Sequence, residues 1–447
     1  MIAPVTTEAP LALPPLRRSQ LANGLALVVA ERRGLPLVSL RLQLAAGSAH
    51  EGLSKAGLAE FTAQLLRRGT RTRSASEIDQ AIERVGGSLA IEAHPDSISL
   101  SASMPSEHLA TGLEILADLA QNPRFAPSEV AAARARTLAW LANDLDEPAS
   151  VADKAIGLYG LAGHPYGQPS TGFSRTVRTF NRADVAAFHA RAFAPNSAAL
   201  FVVGDLGGAG VEALVRKRFG RWARQDAPFP PVPELPAHHA RQVIVVDKPD
   251  ATQTQIRIGT LGIRRGDPAT YVCAVAASVL GGGFTSRLME EIRQNRGLSY
   301  GVHARFSSYL RGGEFGISTF TKNETAGETV NVALEVTRKL VEQGLRDEEL
   351  ARTKTFLKGL YPLELETHEQ IARILADIHL YGLGDDHVSS LRDRIQAVTA
   401  EQFIEQARAH FPLDAFTLVC VGPARKLKKE LAPFAPRVAV KKLQELE

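Results

Sequence analysis

A chain of 447 residues is too long for one ordinary core, so two domains or more are expected. A hydrophobic share of 45% with 22% charged residues is the balance of a globular protein, not of a disordered or fibrous one. The net charge is only +4, with Lys and Arg interleaved with Asp and Glu, so neither a nucleic-acid interface nor a membrane patch is expected.

The opening Met1–Pro10 lacks a basic region and an apolar stretch, so it does not read as a targeting segment. No apolar run approaches the roughly 18 residues that span a bilayer. A soluble protein of the bacterial periplasm or cytoplasm is the expectation, with the compartment open. Aliphatic strands follow at Leu25–Ala30 and Val38–Leu44, then an Ala/Leu-rich helix over Lys55–Arg68. A serine cap introduces a helix at Ser76–Val85, which Gly86 and Gly87 end. Gly87–Ala93 and Ser97–Met104 alternate apolar and polar residues, as half-buried antiparallel strands do. A helix over Pro127–Asn143 stops before Pro148, and the half closes on a strand at Ala199–Gly204.

The proline-rich stretch Asp226–Pro236 excludes helix and central strand, and reads as an extended linker at the chain's midpoint. The second half repeats the order of the first. Strands at Val243–Val246 and Gln255–Gly259 lead into a helix at Ala269–Leu280, and a strand at Thr417–Gly422 comes last. Helices are expected between them at Ala326–Gln343, at Asp347–Lys358 (stopped by Gly359) and at Gln370–Tyr381. Cys273 and Cys420 both lie in apolar runs and read as buried free thiols. The bottom-up expectation is a duplicated α+β unit, each copy a mostly antiparallel sheet covered by helices. Residues 15–225 would form the first domain, 226–240 the linker and 241–447 the second.

Residues 57–70 read Gly-Leu-Ala-Glu-Phe-Thr-Ala-Gln-Leu-Leu-Arg-Arg-Gly-Thr. This frame resembles the zinc helix of the M16 (pitrilysin-like) metallopeptidases, G-L-A-H-x-x-E-H-x-L-x-x-G-T. Two histidines four apart leave one helix face together, with a glutamate between them as general base. Here those positions hold Glu60, Ala63 and Gln64. The family's third ligand, a glutamate about 76 residues beyond the second histidine, corresponds to Trp140, and an indole cannot ligate zinc. Both ligand histidines, the base and the third ligand are therefore replaced, and no peptide hydrolysis by this chain alone is expected.

The resemblance runs along nearly the whole chain. Leu21–Leu25, Ala46–Ser48 with Glu51, Gly163–Gly167 with Gly172, and Pro195-Asn196 with Val202–Asp205 are similar to M16 motifs in order and spacing. It implies the LuxS/MPP-like fold of two similar domains, and is closest to the M16B branch. Among the twelve histidines no pair has metal-ligand spacing, and no CxxC exists. His238-His239 reads as a solvated loop, His164 as a cap or packing residue, and Glu60 as an exposed helix position, so no metal is assigned to this chain.

The segment Leu280–Tyr300 resembles the M16 stretch L-G-x-x-x-x-S-R-L-x-x-x-L-R-x-x-x-G-L-x-Y. In the family the second arginine and the tyrosine reach across a closed chamber towards the zinc site; here they are Arg293 and Tyr300. Arg293 should leave the last turn of a helix stopped by Gly297, with Tyr300 opening the next strand. A surface ion pair and a core tyrosine are the bland alternative. Gly281, Gly282 and Gly283 carry no Gly-Lys-Ser/Thr, which excludes a phosphate loop. They resemble a short form of the glycine-rich, substrate-facing loop in the non-zinc (alpha) subunit of the mitochondrial processing peptidase. The resemblance implies a heterodimer in which a zinc-bearing M16B sibling supplies the metal and this chain supplies Arg293 and Tyr300 to a peptide or unfolded polypeptide. A structural or peptide-binding subunit similar to the bc1-complex core proteins is the alternative.

Overall fold

The computed structural model describes residues 11–208, 210–225, 229–236, 241–412 and 414–447. The aliphatic runs form strands, and the strands form two six-stranded sheets. The first holds β1 (Leu16–Gln20), β2 (Ala26–Glu31), β3 (Leu37–Leu44), β4 (Ser88–Ala93), β5 (Ile98–Pro105) and β6 (Ala198–Gly204), in the order β1-β2-β6-β3-β5-β4. The second holds β7 (Gln242–Asp247), β8 (Gln253–Leu261), β9 (Val302–Tyr309), β10 (Gly312–Lys322), β11 (Thr417–Gly422) and β12 (Val438–Lys442). Its order, β12-β7-β11-β8-β10-β9, repeats that of the first sheet strand for strand apart from the edge strands β1 and β12. This is the expected duplication. Among the described residues only β2–β6, β7–β11 and β7–β12 pair in parallel, so both sheets are mixed and mostly antiparallel.

Eight helices position the sites. They are α1 (Leu58–Leu66), α2 (Leu109–Gln121), α3 (Pro127–Asp144), α4 (Pro148–Gly160), α5 (Thr270–Gly281), α6 (Ala326–Gln343), α7 (Asp347–Leu360) and α8 (His368–Tyr381). One face of the first sheet packs on α1, α2 and α3, burying Leu40, Leu42, Leu65, Leu113 and Leu116 in one core. One face of the second sheet does the same with α5 and α6 around Val245, Ile258, Val275 and Leu340.

The opposite faces are covered reciprocally. Helix α8, from the second half, lays Ile371, Ala372, Leu375 and Ala376 on Val28, Ala30, Phe201 and Val203 of the first sheet. Helix α4, from the first half, lays Val151, Ala152 and Ala155 on Ile244, Val246, Val419 and Val421 of the second. This is why β2, β6, β7 and β11 read as unbroken apolar runs: both faces of each are buried. Each half lends the helix that the other half's sheet needs. Phe201→Ala should accordingly cost about 3–5 kcal/mol. Calorimetry should show one unfolding transition moved down as a whole; two transitions, with only the first half's lowered, would contradict the exchange.

Several boundaries differ from expectation. The described part of the linker, residues 229–236, has neither helix nor strand, but it is docked: Val232 is buried, and Glu234 pairs with Arg311 at 3.0 Å. His238-His239 lies outside the described residues. Gly359 does not stop its helix, because α7 runs on to Leu360 and continues as a 3-10 turn from Tyr361. Edge strand β1, Leu-Arg-Arg-Ser-Gln, has too few apolar residues to stand out in the sequence, and β12, Val-Ala-Val-Lys-Lys, has an apolar run of only three.

Candidate functional site

Glu51 fixes the start of α1. Its carboxylate accepts hydrogen bonds from the Gly57 and Ala59 amides, both at 2.6 Å, so it satisfies orphan donors of the helix N-terminus. Burial pushes this carboxyl up to about 8 against the pull of those amides. Gly57 (φ +97) and Gly172 (φ +74) pin the same end: a Cβ on Gly57 would lie 2.8 Å from Gly172 Cα, and one on Gly172 would lie 2.2 Å from the Ala56 oxygen. Only glycine fits there. Because the folded-state pKa of Glu51 lies above its ordinary value of 4.5, its contribution to stability is full below that pH and is lost as pH rises towards 8. Unfolding temperatures measured from pH 5 to 8 should fall more steeply in the native chain than in Glu51→Gln; equal slopes would contradict the shift.

On α1, Glu60 and Gln64 are one turn apart and share a face, joined by a hydrogen bond of 2.9 Å from the Gln64 amide to Glu60 Oε1. Ala63 points the other way, into the core, with 1% exposure. Helix α3 brings Arg136, Thr137 and Trp140 across from them. Together with Gly57, Phe61 and Thr171 these side chains line a cavity of about 370 Å³. Three of the four positions named from the motif, 60, 64 and 140, thus meet around one space, and Ala63 does not. They do not fit zinc: one carboxylate already bonded to an amide, a carboxamide and an indole fall short of three protein ligands. Among the described residues no group of three His, Cys, Asp or Glu side chains is placed to hold a metal.

The second constellation stands on the other half. Helix α5 ends at Gly281, which is buried in the helix and not in a loop: a Cβ there would sit 2.6 Å from the Ala304 nitrogen of β9. Gly282 follows as the C-cap, and Gly283 faces open space. Met289–Asn295 is a π-helical turn, and Gly297 (φ +61) ends it as expected. Tyr300 does not open the strand; it stands in a bend two residues before β9 begins at Val302.

The Arg293 guanidinium lies 4.3 Å from the centre of the Tyr300 ring and 5.2 Å from that of Phe284. Tyr300 is 75% exposed and Phe284 71%. Among the described residues no carboxylate pairs with Arg293. The alternative of a surface ion pair beside a core tyrosine therefore does not describe this geometry. Phe284 was not anticipated, although an aromatic residue directly after three glycines is a signal for an exposed ring. Neither Arg293 nor Tyr300 lines the cavity of Glu60, Gln64 and Trp140.

Beneath these segments, Arg287 forms a bidentate pair with Glu349 of α7, at 2.9 and 2.7 Å, with both side chains largely buried. The loop around Gly163–Gly167 clasps the halves together. Tyr166 donates to Asp96 Oδ1 at 2.6 Å, while the Leu310 amide and the Tyr381 hydroxyl donate to Oδ2 at 2.9 and 3.3 Å. Burial and the Asp96 carboxylate push the Tyr166 phenol above its ordinary range. His164 both caps and packs, accepting the Tyr166 amide at Nδ1 and donating from Nε2 to the Pro233 oxygen.

Comparison with known proteins agrees with this architecture. Residues 27–171 match the family described as Insulinase (Peptidase family M16), and residues 179–357 match the Peptidase M16 inactive domain. A protein of Mycobacterium bovis named "Uncharacterized zinc protease" is 29% identical over 91% of this chain and 93% of its own length. The "Uncharacterized zinc protease YmxG" of Bacillus subtilis is 24% identical over 92% of this chain and 98% of its own. The crystal structure of a peptidase M16 inactive domain from Pseudomonas fluorescens superposes with a TM-score of 0.85 at 26% identity, covering 91% of this chain and 98% of the other. A protease from Helicobacter pylori shares the fold with a TM-score of 0.87 at 19% identity, over 92% of this chain and all of its own. With two M16 profiles matched in tandem and the same two-domain fold in its structural neighbours, the chain belongs to the M16 peptidase family.

Proposed function

We propose that this chain is the non-zinc subunit of a heterodimeric M16B zinc endopeptidase, similar in role to the alpha subunit of the mitochondrial processing peptidase. The observation that carries the reading is the exposed Arg293–Tyr300 stack in a chain whose own zinc-ligand positions hold Glu60, Gln64 and Trp140. The partner would be a His-x-x-Glu-His sibling that holds the metal. Arg293 and Tyr300 would bind the scissile carbonyl of a peptide and donate to its oxygen as negative charge develops there. A partner closing over Tyr300 and Phe284 would exclude water from the guanidinium and phenol, which strengthens both interactions. No helix among the described residues is long and apolar enough to cross a membrane. The test is peptide hydrolysis by the purified chain with added Zn²⁺. The expected result is no turnover above background. Chelator-sensitive cleavage by this chain alone would overturn the assignment.

A further inference from the structure

The cavity between α1 and α3 has a composition that its replaced ligands do not require. Two of its polar side chains bond to each other, the Gln64 amide donating to one oxygen of Glu60. Most of the wall is carbon, with Phe61, Trp140 and Gly57 among the residues that line it. At about 370 Å³ it is too small for a folded ligand or a length of peptide, and large enough for one big side chain with its adjoining backbone. Glu60 and Arg136 put opposite charges on the lining, so neither an acidic nor a basic guest is favoured.

Trp140 is the informative residue. It is 49% exposed at the cavity, while the other tryptophan, Trp222, is 7% exposed and donates to the Phe193 oxygen. The Trp140 indole N–H has no acceptor among the described residues. A half-exposed indole with a free donor, lining a slot whose two opposite charges leave no net charge, is the pattern of a recognition anchor: the ring takes an apolar group and the N–H takes a carbonyl.

We propose that the replaced metal site of this chain is a binding slot for one apolar side chain of an extended peptide, held between α1 and α3 with Trp140 as its wall. This rests on the reading of the chain as part of a peptide-processing pair. The slot itself contains neither Arg293 nor Tyr300. Such a slot would hold a substrate segment by a site that performs no chemistry, and would bias the pair towards sequences carrying a large apolar residue.

The built-in indole supplies the test. The full chain, without a partner, is titrated with blocked pentapeptides Ac-Ala-Ala-X-Ala-Ala-NH2 in which X is Leu, Phe, Asp or Gly, and tryptophan emission is followed. The expected result is a saturable blue shift with Leu and Phe, and binding about tenfold or more weaker with Asp and Gly, the scale of one apolar group in a pocket. Thr137→Phe fills the slot and should abolish the shift. Gln64→Lys, on the exposed helix face, places an ammonium in it and should do the same if the first variant folds poorly. Emission unchanged by all four peptides, an equal response to Gly and Leu, or a full response in both variants would each overturn the proposal. Leu35→Ala, at an exposed position outside both constellations, should respond as the native chain does. A retained response without activation of a sibling would remove the proposed function and leave the slot; activation without a response would do the reverse.

Discussion

Under the proposed function, Arg293→Ala in the assembled pair should lower kcat by about 10²–10³-fold with a smaller change in KM, the scale of one lost donor to a developing oxyanion. Tyr300→Phe, which removes only the phenol O–H, falls in the same range. Neither variant should change the stability of the isolated chain by more than about 0.5 kcal/mol, because Tyr300 is exposed and Arg293 has no ion pair among the described residues to lose. The split between kcat and stability is the discriminating readout. A variant pair with native kcat would mean that the stack is not at the reacting carbonyl. A large loss of stability would mean that it is structural.

The second large effect is structural. Removing the carboxylate of the Arg287–Glu349 pair, as in Glu349→Gln, should cost about 3–5 kcal/mol, because the largely buried Arg287 charge is left uncompensated; Arg287→Leu should cost less, because Arg346 still pairs with Glu349. The pair joins the segment entering the π-helical turn, which carries Arg293, to α7. Despite its burial, the Arg287 and Arg346 guanidinium groups hold the Glu349 carboxyl down at about 2, below its ordinary 4.5. A depressed carboxylate contributes stability above its unfolded value, and that contribution is lost as pH falls from about 4.5 towards 2. Chemical denaturation across that range should show the native chain losing stability that Glu349→Gln no longer has to lose. Parallel curves would contradict the assignment. Replacing both residues with apolar groups should recover much of the loss, since neither charge is then stranded.

Much of the fold was legible because both faces of β2, β6, β7 and β11 are buried and their apolar runs are unbroken. The reciprocal cover was not. Helices α4 and α8 have the same amphipathic pattern whether they pack on their own sheet or on the other, and no local signal marks the exchange. Positions 60, 63, 64 and 140 were named from a motif frame alone, and the structure brings 60, 64 and 140, but not 63, around one cavity. What the pattern could not give was the state of Arg293 and Tyr300. Spacing alone fits both a surface ion pair and an exposed stack, and only the geometry shows the guanidinium lying against Tyr300 and Phe284. Gly281 shows the opposite limit. A run of three glycines reads as a loop, yet the first is held in a helix by the close approach of Ala304.

The most direct test of the central claim is a rate titration: a fixed amount of the zinc-bearing sibling, saturating peptide, and increasing amounts of this chain. The proposed function predicts a rate far above that of the sibling alone, saturating at one chain per sibling and lost with Arg293→Ala. A rate that stays at the sibling's own level at every ratio would contradict it.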